Sequence, residues 1–130
     1  TPQLLELAGP SARNVFFTTH EGIYGDQSDA AKKFNESYTT EYGKGPDSIF
    51  AALGYDGINL LADAITRAND TAGDKIRDAL AATQGFKGAT GEISYSKDSH
   101  IPVKSVAIVE TVDGKFQLIK TTVPKVVPKA

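Results

Sequence analysis

The side chains of this chain that could do chemistry are few, and their types narrow what that chemistry is. His20 and His100 are the two histidines, the residue type whose ordinary pKa lies near neutrality. Each stands in a polar stretch where a solvated loop side chain is the simpler reading. There is no G-x-S-x-G elbow for an activated serine and no H-E-x-x-H pair for zinc. Gly43-Lys44-Gly45 lacks the upstream glycine and the following Ser/Thr of a phosphate-binding loop. Gly88-Ala89-Thr90-Gly91 follows a predicted helix rather than a strand, the wrong setting for a dinucleotide. Asp26, Asp29 and Asp47 stand where helix caps belong, and the alternating oxygen ligands with a closing glutamate of a calcium loop are missing. Cysteine is absent, which removes disulfides, thiolate nucleophiles and Cys-ligated zinc. The residues therefore predict no enzyme, no cofactor and no metal.

Binding is what remains. Aromatic side chains in glycine-containing loops or at helix starts make pocket walls, because they supply apolar area at small entropic cost. Tyr24, Phe50 and Tyr55 fit that description, with ordinary core packing as the competing reading for each. A net charge of −2, from 14 Lys+Arg and 16 Asp+Glu without a basic cluster, argues against a nucleic-acid partner.

The elements that must position these groups follow from spacing. The chain has 130 residues, 40% apolar and 23% charged, the size and balance of one globular domain. No apolar run is expected to approach the roughly 20 residues of a membrane span. Thr1-Pro2 suits a helix start, and Leu4, Leu5 and Leu7 give a short helix stopped by Gly9-Pro10. Asn14 to Thr19 reads as a buried strand, and His20 to Gln27 as a loop. Asp26 or Ser28 caps a helix whose apolar side is Ala30, Phe34, Tyr38 and Tyr42, closed by Gly43. After the Gly45-Pro46 turn, Asp47 or Ser48 caps a long helix. Its apolar side is Leu53, Gly57, Leu60, Leu61, Ala64 and Ala68, and its polar side is Asp56, Asn59, Asp63 and Arg67. Asp63 and Arg67 form an i, i+4 pair worth about 0.2–0.5 kcal/mol.

A third helix turns Ile76, Ala79, Leu80 and Thr83 inward and is stopped by Gly85. Glu92 to Tyr95 alternates like a strand. Lys104–Thr111 and Lys115–Thr122 flank Asp113-Gly114, a strong hairpin signal. The pattern is α/β but short of strands for a complete doubly wound sheet. Methionine is absent and the first residue is Thr1, so the chain is expected to start after a cut. Residues 123–130 are expected to be a frayed tail.

The ordered series TPQLLELAGPSARNVFFTTH, YGKGPD, AALGYDGINLLADAI, ALAATQGFKGATGEISYSKDSH and VKSVAIVETVDGKFQLI resembles the C-terminal part of the periplasmic substrate-binding proteins of branched-chain amino-acid ABC transporters, over roughly residues 1–122. The resemblance implies a three-layer α/β fold of the type I periplasmic-binding class, present only as the C-terminal portion of a two-lobe protein. It further implies that residues 1–46 belong to the second lobe, 47–104 to the first, and the hairpin 105–122 to the second again. The crossovers would then lie near Gly45-Pro46 and Pro102.

The implied function is capture of an amino acid or similar small carboxylate in the interlobe cleft for ABC-transporter uptake. A ligand-sensing receptor domain without a transporter is the alternative. By the same resemblance Phe50, five residues before Tyr55, would take the place of an aromatic over the ligand side chain, Tyr24 would lie at the cleft rim, and His20 would face the cleft. The implied partners are the small ligand, the ABC permease, and either the missing receptor half or a second copy of the chain. The location would be periplasmic or extracellular, at the membrane if a lipoprotein. The carboxylate and ammonium contacts of the family lie outside these residues, so the isolated chain is expected to bind no amino acid tightly.

Overall fold

A computed structural model describes residues 3–21, 24, 28–96 and 99–124. The Thr1-Pro2 helix start, Asp26 as a cap and most of the tail (125–130) lie outside the described residues. Helix α1 (Gln3–Ala8) runs into a 3₁₀ turn at Gly9–Ser11, where Gly9 has φ +49°. Strand β1 (Phe16–Thr19) starts two residues later than the composition suggests, because Asn14 adopts φ +54° and breaks the extended run.

Helix α2 (Asp29–Tyr42) is capped by Ser28, whose hydroxyl accepts from the Ala31 amide, and Gly43 closes it at φ +71°. Helix α3 (Ile49–Ala68) is capped by Ser48 and closed by Asn69 in the left-handed conformation. Helix α4 (Gly73–Ala81) follows. Then come β2 (Phe86–Gly88), β3 (Gly91–Ser96), β4 (Ser99–Lys104), β5 (Val106–Val112) and β6 (Lys115–Thr122).

The strands form two antiparallel sheets, ordered β1-β5-β6 and β2-β3-β4. Strand β5 is the middle of the first, and its alternate residues Ala107, Val109 and Thr111 are buried. Strand β1 lies at the edge with Phe16 59% exposed, so it is half-buried rather than the buried strand its composition predicts. Strand β4 has no counterpart in the sequence reading. It tolerates Pro102 because it is an edge strand, where a missing amide costs no ladder bond. Between β5 and β6 the turn residues Asp113 and Gly114 both have positive φ, +48° and +71°. That is the type I′ geometry which matches strand twist. Gly114→Ala is expected to cost about 1 kcal/mol, since a Cβ at that φ is strained; urea unfolding reads it.

In α3 the buried stripe is Ala52, Asp56, Leu60 and Ala64. Asp56 therefore lies inside the core-facing side, not on the polar side to which its charge assigns it. Leu61 (38% exposed) and Gly57 face outward instead. By length and composition α3 passes as a membrane span, against the expectation that no stretch would. Arg67 joins α3 to α4: its Nε bonds Asp63 at 2.8 Å, Nη1 donates to the Ala79 carbonyl and Nη2 to Thr83 Oγ1.

Phe34 of α2 packs with Ala52 of α3 and with Ala89, and Tyr38, Ile49, Ala51 and Tyr55 close around them. Helix α2 thus packs on α3 and β2.

Candidate functional site

The four residues nominated from sequence take four different settings. Phe50 sits in the first turn of α3, where the Ser48 cap accepts its amide, and its side chain is 76% exposed. A helix start leaves the aromatic free of the core, and nothing in its own helix covers it. Tyr55, one turn further on, is half-buried with its ring 5.1 Å from that of Phe34. It lines an open groove of about 410 Å³ with Tyr38, Tyr42, Glu41, Ser37 and Ala51, a groove that Phe50, Tyr24 and His20 do not line.

Tyr24 meets Phe17 of β1 and Phe116 of β6 edge-on, with centroids 6.4 and 5.5 Å away. Burial against these rings pushes its hydroxyl pKa up. His20 directly follows β1. Among the described residues its Nδ1 is the one buried side-chain polar atom without a hydrogen-bond partner. Burial lowers its pKa first, the nearby Lys104 ammonium lowers it further, and Asp56 opposes both. His100 lies in β4, exposed, rather than in the loop its neighbours suggest.

The most completely bonded polar group is one that sequence reasoning missed. Asp56, 3% exposed, accepts from the amides of Ala89 (2.6 Å) and Thr90 (2.8 Å) and from Thr90 Oγ1 (2.6 Å). Ala89 and Thr90 are the two residues of the turn between β2 and β3. Gly88-Ala89-Thr90-Gly91 does follow a strand, contrary to expectation, but it leads into another strand. There is no helix N-terminus for a pyrophosphate, and the dinucleotide reading fails for that reason.

Both glycines are required by close approach. A Cβ on Gly88 would lie 2.6 Å from Asp56 Oδ2. One on Gly91, at φ +109°, would lie 2.7 Å from Ser105 Oγ and 3.5 Å from Glu21. Thr90 Oγ1, donating to Asp56, accepts from Lys104 Nζ. Burial lowers the pKa of Lys104, and Asp56 and then Glu21 oppose this. The signal that could have exposed Asp56 is its i, i+4 spacing with Ala52, Leu60 and Ala64. A carboxylate in an otherwise apolar row implies a buried acceptor with partners of its own.

Chemically, the node is a structural acceptor, with three of the roughly four acceptor sites of the Asp56 carboxylate occupied. Among the described residues no cluster of three His, Cys, Asp or Glu side chains is placed to hold a metal.

The model of a periplasmic binding protein family matches residues 1–115. The fold is similar to that of a leucine binding protein from Thermotoga maritima, 34% identical with a TM-score of 0.75, over 93% of this chain and 34% of that one. It is similar also to a putative branched-chain amino acid ABC transporter protein from Rhodospirillum rubrum, 29% identical with a TM-score of 0.78, over 92% and 34%. A solute-binding protein from R. palustris in complex with benzoate shares the fold at 24% identity and a TM-score of 0.74, over 98% and 35%. The chain spans about a third of the length of these structures.

Proposed function

The chain belongs to the periplasmic binding protein family, and from that premise we propose that it is the part of an extracytoplasmic solute-binding protein that supplies one apolar wall and two hinge crossings to an interlobe cleft. The ligand is an amino acid or a similar small carboxylate, delivered to an ABC-transporter permease. The action is binding and closure without covalent chemistry: the ligand favours the closed form by as much as it binds that form better.

The observation that carries this reading is the exposed aromatic at the start of α3, in a chain that covers only a third of a leucine-binding relative. Two features support the division into lobes. Strand β1 and the β5–β6 hairpin share a sheet, and β2–β4 form another with α2 and α3 packed beside β2. We place the crossings at His20–Glu21, directly after β1, and at Lys104–Ser105. The first replaces a crossing at Gly45-Pro46, because Phe34 and Tyr38 of α2 pack with Ala52 and Tyr55 of α3. Ile58 (70% exposed) and Leu61 extend the uncovered apolar surface of α3 away from Phe50. A further layer, from the missing receptor half, fits there.

Calorimetry tests the reading on two samples. The 130-residue chain alone is expected to give no binding signal with leucine, isoleucine, valine, an aromatic amino acid or benzoate. A chimera in which this chain replaces the matching third of the Thermotoga maritima protein is expected to bind one of them. In that chimera Phe50→Ala is expected to weaken affinity about tenfold or more, the loss of one well-packed aromatic wall. A folded chimera that binds none of these ligands would sink the proposal, and micromolar binding by the chain alone would refute its incompleteness.

A further inference from the structure

Both crossings meet at one polar junction. His20 and Glu21 leave β1 on one side, Lys104 and Ser105 join β4 to β5 on the other, and the β2–β3 turn with Asp56 behind it lies against both. The contacts are specific. Lys104 Nζ donates to Thr90 Oγ1, and Thr90 Oγ1 donates to Asp56. Gly91 brings the turn so close to Ser105 that a Cβ would stand 2.7 Å from its Oγ, with the Glu21 carboxylate in ordinary contact at 3.5 Å.

The charges facing His20 come from two other elements, the Lys104 ammonium of β4 and the Asp56 carboxylate of α3, while Glu21 follows it in its own segment and also acts on Lys104. Asp56 spends its oxygens on three donors. Its charge favours a proton on His20, but burial and Lys104 outweigh it. The buried Nδ1 of His20 is without a hydrogen-bond partner among the described residues, so a proton there would gain a charge and no acceptor.

We propose that His20 makes this junction proton-sensitive: neutral, it lets the two sheets close on the Asp56–Thr90–Lys104 node, and protonated, it drives them apart. The sign follows from the environment. Burial and Lys104 hold the folded-state pKa of His20 below the ordinary 6.5. The unfolded or loosened chain therefore binds the proton first as pH falls. The junction is fully stable above about 6.5 and loses stability as pH drops from there toward the folded value. If the chain forms a hinge as proposed above, acid shifts its opening; the junction itself does not depend on that reading.

The test uses the 130-residue chain without ligand, so its outcome is independent of whether the ligand assignment holds. Proton NMR follows the His20 imidazole, assigned by its loss in His20→Gln, while amide exchange is read at Thr19 and Ala107, the strand pair nearest the junction. The expected result is a His20 midpoint below 6.5. In step with it, exchange protection at Thr19 and Ala107, corrected for intrinsic rate, falls about threefold or more. His20→Gln abolishes that step. A His20 midpoint at or above the ordinary value overturns the proposal, as does an unchanged step in His20→Gln. Should His20→Gln fail to fold, the wild-type comparison still decides, with the imidazole signal then assigned by elimination using His100→Gln. A protection step that does not share the His20 midpoint refutes the proposal, and a shared midpoint below 6.5 sustains it.

Discussion

Asp56→Ala is expected to destabilise the chain by about 3 kcal/mol or more, the largest loss among single polar substitutions proposed here. The carboxylate accepts three hydrogen bonds at 2.6–2.8 Å in a site 3% exposed. Alanine removes all three at once. It leaves the Ala89 and Thr90 amides without their acceptor, and a buried unsatisfied donor costs about 1–3 kcal/mol. It also takes away the carboxylate that opposes the desolvation of Lys104. Asp56→Asn keeps one carbonyl oxygen but turns the other acceptor into a donor aimed at donors, so it is expected to recover less than half of the loss. Urea unfolding followed by circular dichroism measures both. A loss within 1 kcal/mol for alanine would mean that the turn holds its shape without the carboxylate.

Gly91→Ala is the second large effect, about 2–4 kcal/mol, and it has two separable parts. The first is backbone strain: φ +109° is a region that side chains with a Cβ occupy at a cost of about 1–3 kcal/mol. The second is steric, since the new Cβ would stand 2.7 Å from Ser105 Oγ. Ser105→Ala removes that oxygen and leaves the strain. The double variant should therefore regain about 1 kcal/mol relative to the sum of the single changes, a coupling that a double-mutant cycle resolves. Strict additivity would show that the approach of Ser105 to Gly91 contributes nothing.

The local signals in the sequence were the legible ones. Ser28 and Ser48 cap their helices, Gly43 closes α2, the Asp63–Arg67 pair forms, and Asp113-Gly114 turns the final hairpin. Each depends on residues within a few positions of one another. What was not legible depends on distant partners. Strand β4 is short, contains a proline and borders a polar turn, and only its pairing with β3 makes it a strand. Asp56 looked like a surface residue because its acceptors' partners, Ala89 and Thr90, lie far along the chain and donate mostly through backbone amides, which carry no side-chain signature. The same holds for the candidate ligand wall. Phe50 could be singled out from its place in a helix start, whereas the rings that hold Tyr55 and Tyr24 come from other elements.

The order β1-β5-β6 joins a strand near the start of the chain to a hairpin near its end. The hairpin closes on its own two-residue turn, but β1 can dock on it only after the whole intervening segment has been looped back. Loop closure costs more entropy the longer the loop, and such pairings set the slow step in folding. Strand β1 is therefore expected to join last and leave first. In a refolding time course, Phe17 should acquire its contact with Phe116 only after α3, α4 and the β2–β3 turn have formed.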